Sequence, residues 1–153
     1  LTNIYYIASS DWLNTGLRLC FAMLIGAIIG LERQIKNKPA GLRTHMLVSL
    51  GSAVFTLVTI QIDGLQVSPD SLSRVVQGIA AGVGFLGAGE ILRESSQSSK
   101  SPEIHGLTSA AAIWVAAALG IAAGCGLWQL GLMGAILTVT ILHIFKRLEN
   151  FLS

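Results

Sequence analysis

The sequence predicts an all-α polytopic membrane bundle of five transmembrane helices, and three observations carry that expectation. Of 153 residues, 52% are hydrophobic and only 12% charged, with a mean hydropathy of +0.68. Soluble domains carry about 25% charged residues, so half of the usual solvating charge is missing. Five apolar stretches, at residues 12–31, 44–62, 75–92, 107–124 and 126–145, approach the roughly 20 residues that a helix needs to cross hydrocarbon. Finally, the basic residues collect in alternate connections, as they do in a chain that threads a bilayer repeatedly. The whole of 1–153 reads as one transmembrane domain.

The first span follows an aromatic cluster, Ile4 to Ile7 and then Trp12, of the kind that sits at a membrane interface. No basic leader or small-residue cleavage site precedes it, so no cleaved signal peptide is expected. Before the third span, Pro69-Asp70-Ser71 reads as a turn, with Ser71 or Ser73 as the helix cap and Asp70 suited to the positive helix end. The third span, Val75 to Leu92, carries Gly78, Gly82, Gly84, Gly87 and Gly89. In water each glycine would cost a helix about 1 kcal/mol relative to alanine. In lipid the backbone must bond to itself, so helix persists and glycines permit close helix crossings. Gly82, Gly84 and Gly87 also spell GxGxxG, but no strand precedes them and no βαβ unit surrounds them, so a dinucleotide loop is excluded. GxxxG pairs recur at Gly26/Gly30, Gly78/Gly82 and Gly120/Gly124. The last two spans meet at Gly124-Cys125-Gly126, a tight hairpin. Cys20 and Cys125 fall inside apolar runs and read as small buried hydrophobes.

Orientation follows from the placement of Lys and Arg. Arg33, Lys36, Lys38, Arg43, Arg93, Lys100, Lys146 and Arg147 share one side; Arg74 alone marks the other, with Arg18 sunk in the first span. The positive-inside rule then puts the N-terminus outside and the C-terminus in the cytoplasm.

Charges within a bilayer face protein or water, so they are the candidates for function. Arg18 lies about six residues into the first span, roughly 9 Å deep. It either snorkels outward toward Asp11, Asp63 or Asp70, or lines a polar cavity. Glu90 closes the third span and either pairs with Arg93 or joins an inner polar ring. That ring gathers Glu32 and Arg33, Arg43 and His45, and His105, Thr108 and Ser109 from neighbouring helix ends. No motif for a metal cage, a cofactor or an enzyme nucleophile is present, so neither metal, cofactor nor catalysis is expected. Nucleic-acid binding lacks a basic domain to host it.

Three blocks make the chain recognisable: Gly30 to Leu57, Ser73 to Arg93, and His105 to Trp128. In this order the chain resembles the MgtC/SapB family, whose Gly-Leu-Arg-Thr-His block matches Gly41 to His45. The Gly-Phe-Leu-Gly-Ala-Gly block matches Gly84 to Gly89, and Gly-Leu-Thr-Ser-Ala-Ala matches Gly106 to Ala111. The family's Asp-Pro-x-Arg pattern before the third span is altered here to Pro69-Asp70 with Arg74 following, and Glu90 stands where many members carry a small or apolar residue. The resemblance implies a bacterial inner-membrane protein linked to magnesium limitation and, in pathogens, to virulence inside macrophages. It implies the short form, lacking a C-terminal cytoplasmic domain. Two functions are compatible with it: a transporter-like bundle with a polar pathway for an ion, or a regulator that binds another membrane complex such as the F-type ATP synthase. Residues expected to matter are Arg18, Glu32, Arg43, His45, Asp70, Arg74, Glu90 and Thr108, with Gly78, Gly82, Gly84, Gly87 and Gly89 in helix packing. A homo-oligomer in the lipid bilayer is expected.

Overall fold

The computed structural model describes residues 11–63, 68–97 and 106–145. The aromatic stretch Ile4 to Ile7, the positions Lys100 and His105, and Lys146 and Arg147 lie outside them, as does the side chain of Arg93. The fold is all-α. Its helices are α1 (Trp12–Ile35), α2 (Leu42–Asp63), α3 (Pro69–Gln97), α4 (Leu107–Gly124) and α5 (Trp128–Thr140), the last continued by a π-helical turn, Ile141–Phe145. Four of these, α1 to α4, are long and apolar enough to cross a membrane; the apolar stretch of the fifth, Trp128–Ile144, is shorter.

Local chemistry sets the boundaries. Asp11 caps α1, its carboxylate accepting the Asn14 N–H at 3.1 Å. At the other end Asn37 takes a left-handed φ of 50°, while Lys38 N–H reaches Arg33 O and Asn37 N–H reaches Gln34 O. Asparagine is the commonest substitute for glycine in this closing motif, and Pro39 prevents the helix resuming. The third helix begins earlier than the sequence predicted, at Pro69 rather than Val75. Its cap is Ser68, whose hydroxyl accepts the Asp70 N–H at 3.3 Å, and not Ser71 or Ser73. Proline fits the first helical position because its missing N–H would have no helical partner there. Between α4 and α5, Gly126 has φ 73°, Gly126 N–H bonds Ala123 O and Leu127 N–H bonds Ala122 O. This is the tight hairpin that Gly124-Cys125-Gly126 predicts.

The helices alternate in direction along the chain. α2 is wedged between α1 and α4, and glycines make the wedge possible. A Cβ on Gly26 would stand 2.5 Å from His45 O, one on Gly30 2.7 Å from Leu42 Cα, and one on Gly124 2.8 Å from Thr56 Cβ, while Gly120 abuts the Ser49 backbone. Two of the three GxxxG pairs thus bring α1 and α4 against α2 at backbone distance. α5 packs on α1 through an edge-on Phe21–Trp128 contact with ring centroids 5.0 Å apart.

What is buried is small: Ala22, Ala53, Ala112, Ala116, Ala117, Ala122, Ala123 and Ala135 form much of the core. Large side chains such as Leu24, Phe55, Phe85, Trp114 and Ile136 point outward. A water-soluble fold would reverse this, because exposing so much apolar area is unfavourable by about 25 cal/mol per Å². Lipid removes that cost and leaves close packing as the driving force. Cys125 is buried as expected, but Cys20 lies on the exposed side of α1. With apolar surroundings outside the bundle as well as inside, an apolar sequence context does not distinguish the two.

Candidate functional site

His45, Ser49, Ser52 and Thr56 recur at intervals of four, three and four residues, which places them on one face of α2. All four are buried, forming a polar column through an otherwise apolar bundle. Its hydroxyls are satisfied by backbone. Ser49 donates to Ala22 O of α1 at 2.7 Å, Ser52 to Val48 O at 2.9 Å and Thr56 to Ser52 O at 2.8 Å. The column therefore holds helices together as well as running between them.

One end of the column is a charged hub. Arg33 is buried and donates from Nη2 to the Ser109 hydroxyl at 2.7 Å, joining the end of α1 to the first turn of α4. Glu32, one residue back, is ion-paired with Lys36, and its Oε2 stands 4.0 Å from Arg33 Nη1. Lys36 also donates to Leu142 O at 3.0 Å, in the π-helical turn after α5. His45 is fully buried within electrostatic reach of Arg33 and Glu32. Its Nδ1 lies 2.9 Å from Gly41 O, a carbonyl that can only accept, so Nδ1 carries a proton. Nε2 is buried, and no hydrogen-bond partner among the described residues reaches it.

At the other end stands Arg18. It does not snorkel and, among the described residues, which exclude the side chain of Asp63, it reaches no acid for an ion pair. Its side chain is 4% exposed, with Nη1 donating to Gly124 O at 2.7 Å and Nε to Asn14 Oδ1 at 3.1 Å. Gly124 ends α4, where carbonyls lack helical partners and the helix dipole is negative, so a guanidinium is stabilised there. Gly126 lets it in: a Cβ at that position would lie 2.8 Å from Arg18 Cζ.

The remaining predicted positions are dispersed. Arg43 and Thr108 are exposed, as are Asp70 and Arg74 at the start of α3. Glu90 is partly buried, with an Oε1 that no hydrogen bond from the described residues reaches. Among the described residues, Gly87 alone of the five α3 glycines meets a neighbour, Ala110 of α4, at 3.3 Å; around Gly78, Gly82, Gly84 and Gly89 none of them lies within 4 Å of an added Cβ. The inner ring is thus realised through Glu32, His45, Arg33 and Ser109, and not through Arg43 or Thr108. Lys36, Ser49, Ser52 and Thr56 were missed by reading the sequence for charges within spans. The signal for the three hydroxyls was their helical spacing in the second span, and for Lys36 its place four residues after Glu32. Among the described residues no three His, Cys, Asp or Glu side chains gather as a metal site.

The MgtC family profile matches residues 19–151. Protein SrpB of Synechococcus elongatus is 52% identical over 152 residues, covering 97% of this chain and 84% of SrpB. YhiD of Escherichia coli, named as a candidate magnesium transporter, is 40% identical over 139 residues, 86% of this chain and 60% of YhiD. Protein MgtC of Salmonella typhimurium is 42% identical over 121 residues, 79% of this chain and 48% of MgtC. The chain therefore spans less than two thirds of the last two relatives. No solved structure matches it significantly.

Proposed function

The chain belongs to the MgtC family, and from that premise we propose that it serves magnesium homeostasis in a bacterial inner membrane as a regulator of another membrane complex, not as a magnesium conduit within one chain. The magnesium link rests on the naming of its relative YhiD. The regulatory reading rests on one observation: the buried polar column is closed by a guanidinium at each end, Arg18 on Gly124 and Arg33 on Ser109. A unit charge meets a like charge 4 Å away with about 4 kcal/mol of repulsion at the effective dielectric of a protein, and a divalent ion with about twice that. Hydroxyls already committed to backbone carbonyls offer such an ion little in return.

A transport reading draws support from the Glu32 carboxylate and the His45 Nε2, polar atoms buried at one end of the column without a hydrogen bond among the described residues. Magnesium flux into proteoliposomes separates the two. The expected result is no flux above that of empty vesicles, with growth in low magnesium still depending on the protein. Saturable flux that is lost in Glu32→Gln would overturn the regulatory reading in favour of transport.

A further inference from the structure

α3 is the least embedded of the four long helices: 11% of its span is buried within the chain, against 56% for α4. Between α3 and α2 runs an apolar groove of about 600 Å³, bounded among others by Leu47, Gly51, Phe55, Gly78 and Gly82. None of the described residues comes within 4 Å of a Cβ added at Gly51, Gly78 or Gly82. At 3.6 residues per turn, Gly78, Gly82, Phe85 and Gly89 fall within roughly 60° of arc on the outer side of α3. Phe85 is 81% exposed and falls in the chain between Val83 and Leu86, both of which line the groove. Arg74 lies one turn before Gly78 and Asp70 two turns before it; both are exposed and do not pair with each other.

We propose that α3 is the contact between two copies of this chain, packed parallel about a two-fold axis along the membrane normal. Phe85 of each copy enters the α2/α3 groove of the other, and Asp70 of each faces Arg74 of the other. Three features select a second copy as the occupant. Identical chains insert with identical topology, so their α3 helices can meet only in parallel, and a two-fold contact must be self-complementary. Phe85 falls within the length of α3 that lines the groove, Val75 to Leu86, so knob and groove overlap along the helix, as self-complementarity requires. The acid and the base, one turn apart, likewise satisfy each other reciprocally across a two-fold. Lipid tails would fill the groove equally well around alanine, whereas glycine admits a second backbone at close range.

Cysteine cross-linking in native membranes tests this, in a background with Cys20 and Cys125 changed to Ser. The expected pattern is covalent dimer on mild oxidation of Gly78→Cys and Gly82→Cys, and none for Leu132→Cys, which lies exposed on α5. In lipid nanodiscs, Phe85→Ala should raise the dimer dissociation constant by about tenfold or more. Asp70→Arg should weaken the dimer, and the double variant Asp70→Arg/Arg74→Asp should restore it. Circular dichroism on each variant reports the bundle itself. The proposal is overturned by a monomeric mass in nanodiscs with lipid in the groove, by cross-links confined to α5, or by a charge swap that fails to restore a dimer lost in the single variant. None of these outcomes bears on magnesium flux, so this assignment and the regulatory reading stand or fall separately.

Discussion

Arg18, near the start of α1, donates to the carbonyl oxygen of Gly124, the last residue of α4, at 2.7 Å. From residue 18 to residue 33, and from residue 109 to residue 124, are both fifteen steps, and Arg33 bonds Ser109 at the same 2.7 Å. Two antiparallel helices are therefore gripped at both ends in one register. A slip of a single residue would rotate each guanidinium by about 100° away from its acceptor. Because the core between them is mostly alanine and glycine, which interlock weakly, the two arginines supply registration that side-chain volume does not.

Replacing Arg18 with Met should therefore loosen the α4 end. A buried hydrogen bond to a charged group contributes about 1.5–3 kcal/mol, so the variant is expected to unfold at lower denaturant in detergent by about that much. Arg18→Met with the stability of the parent would remove Arg18 from the account of registration.

Arg33 and Ser109 should behave as a coupled pair. A double-mutant cycle of Arg33→Met and Ser109→Ala is expected to show about 1–2 kcal/mol of interaction. Lys at position 33 should not rescue, since its point charge lacks the planar fork that reaches the hydroxyl. A coupling near zero would mean that the two side chains act independently.

Glycine substitutions should divide by location. Gly120→Ala places a methyl group against the Ser49 backbone, and overpacking of this kind costs about 1–3 kcal/mol. Gly84→Ala meets nothing within 4 Å and should be neutral or stabilising by up to about 1 kcal/mol through helix propensity. Thermal melts of the two variants side by side check the contrast; equal losses would contradict the wedge of α2 between α1 and α4.

Alkylation reports the hairpin between α4 and α5. Burial pushes the Cys125 thiol up from its ordinary range, with Arg18 drawing it part of the way back. Because the thiolate is the reactive form, labelling of Cys125 in a Cys20→Ser background should be slow near neutral pH and should accelerate only as pH rises past the ordinary thiol range. Rapid labelling at neutral pH would show that the hairpin opens.

Orientation has a direct check. Fluorescent protein fused after Ser153 should glow and alkaline phosphatase at the same point should stay inactive, placing that end in the cytoplasm. The reverse pattern would contradict the positive-inside assignment.

Composition and periodicity alone determined that the chain is a helical membrane bundle, where its helices lie and how α4 turns into α5, because lipid forces every backbone group into helix and glycine marks the turn. Sequence also singled out Arg18 and Glu90, since a charge inside an apolar span is conspicuous, and named Glu32 and His45 in a polar ring at the helix ends. Tertiary structure alone decided their partners. That Arg18 turns inward to Gly124, that Gly26, Gly30, Gly120 and Gly124 meet α2 while Gly78 and Gly82 meet nothing, and that Ser49 and Thr56 form a buried column all depend on which face each helix presents. In lipid both faces are apolar, so the pattern that reveals the inside of a soluble helix is absent, and only the packed bundle settles the choice.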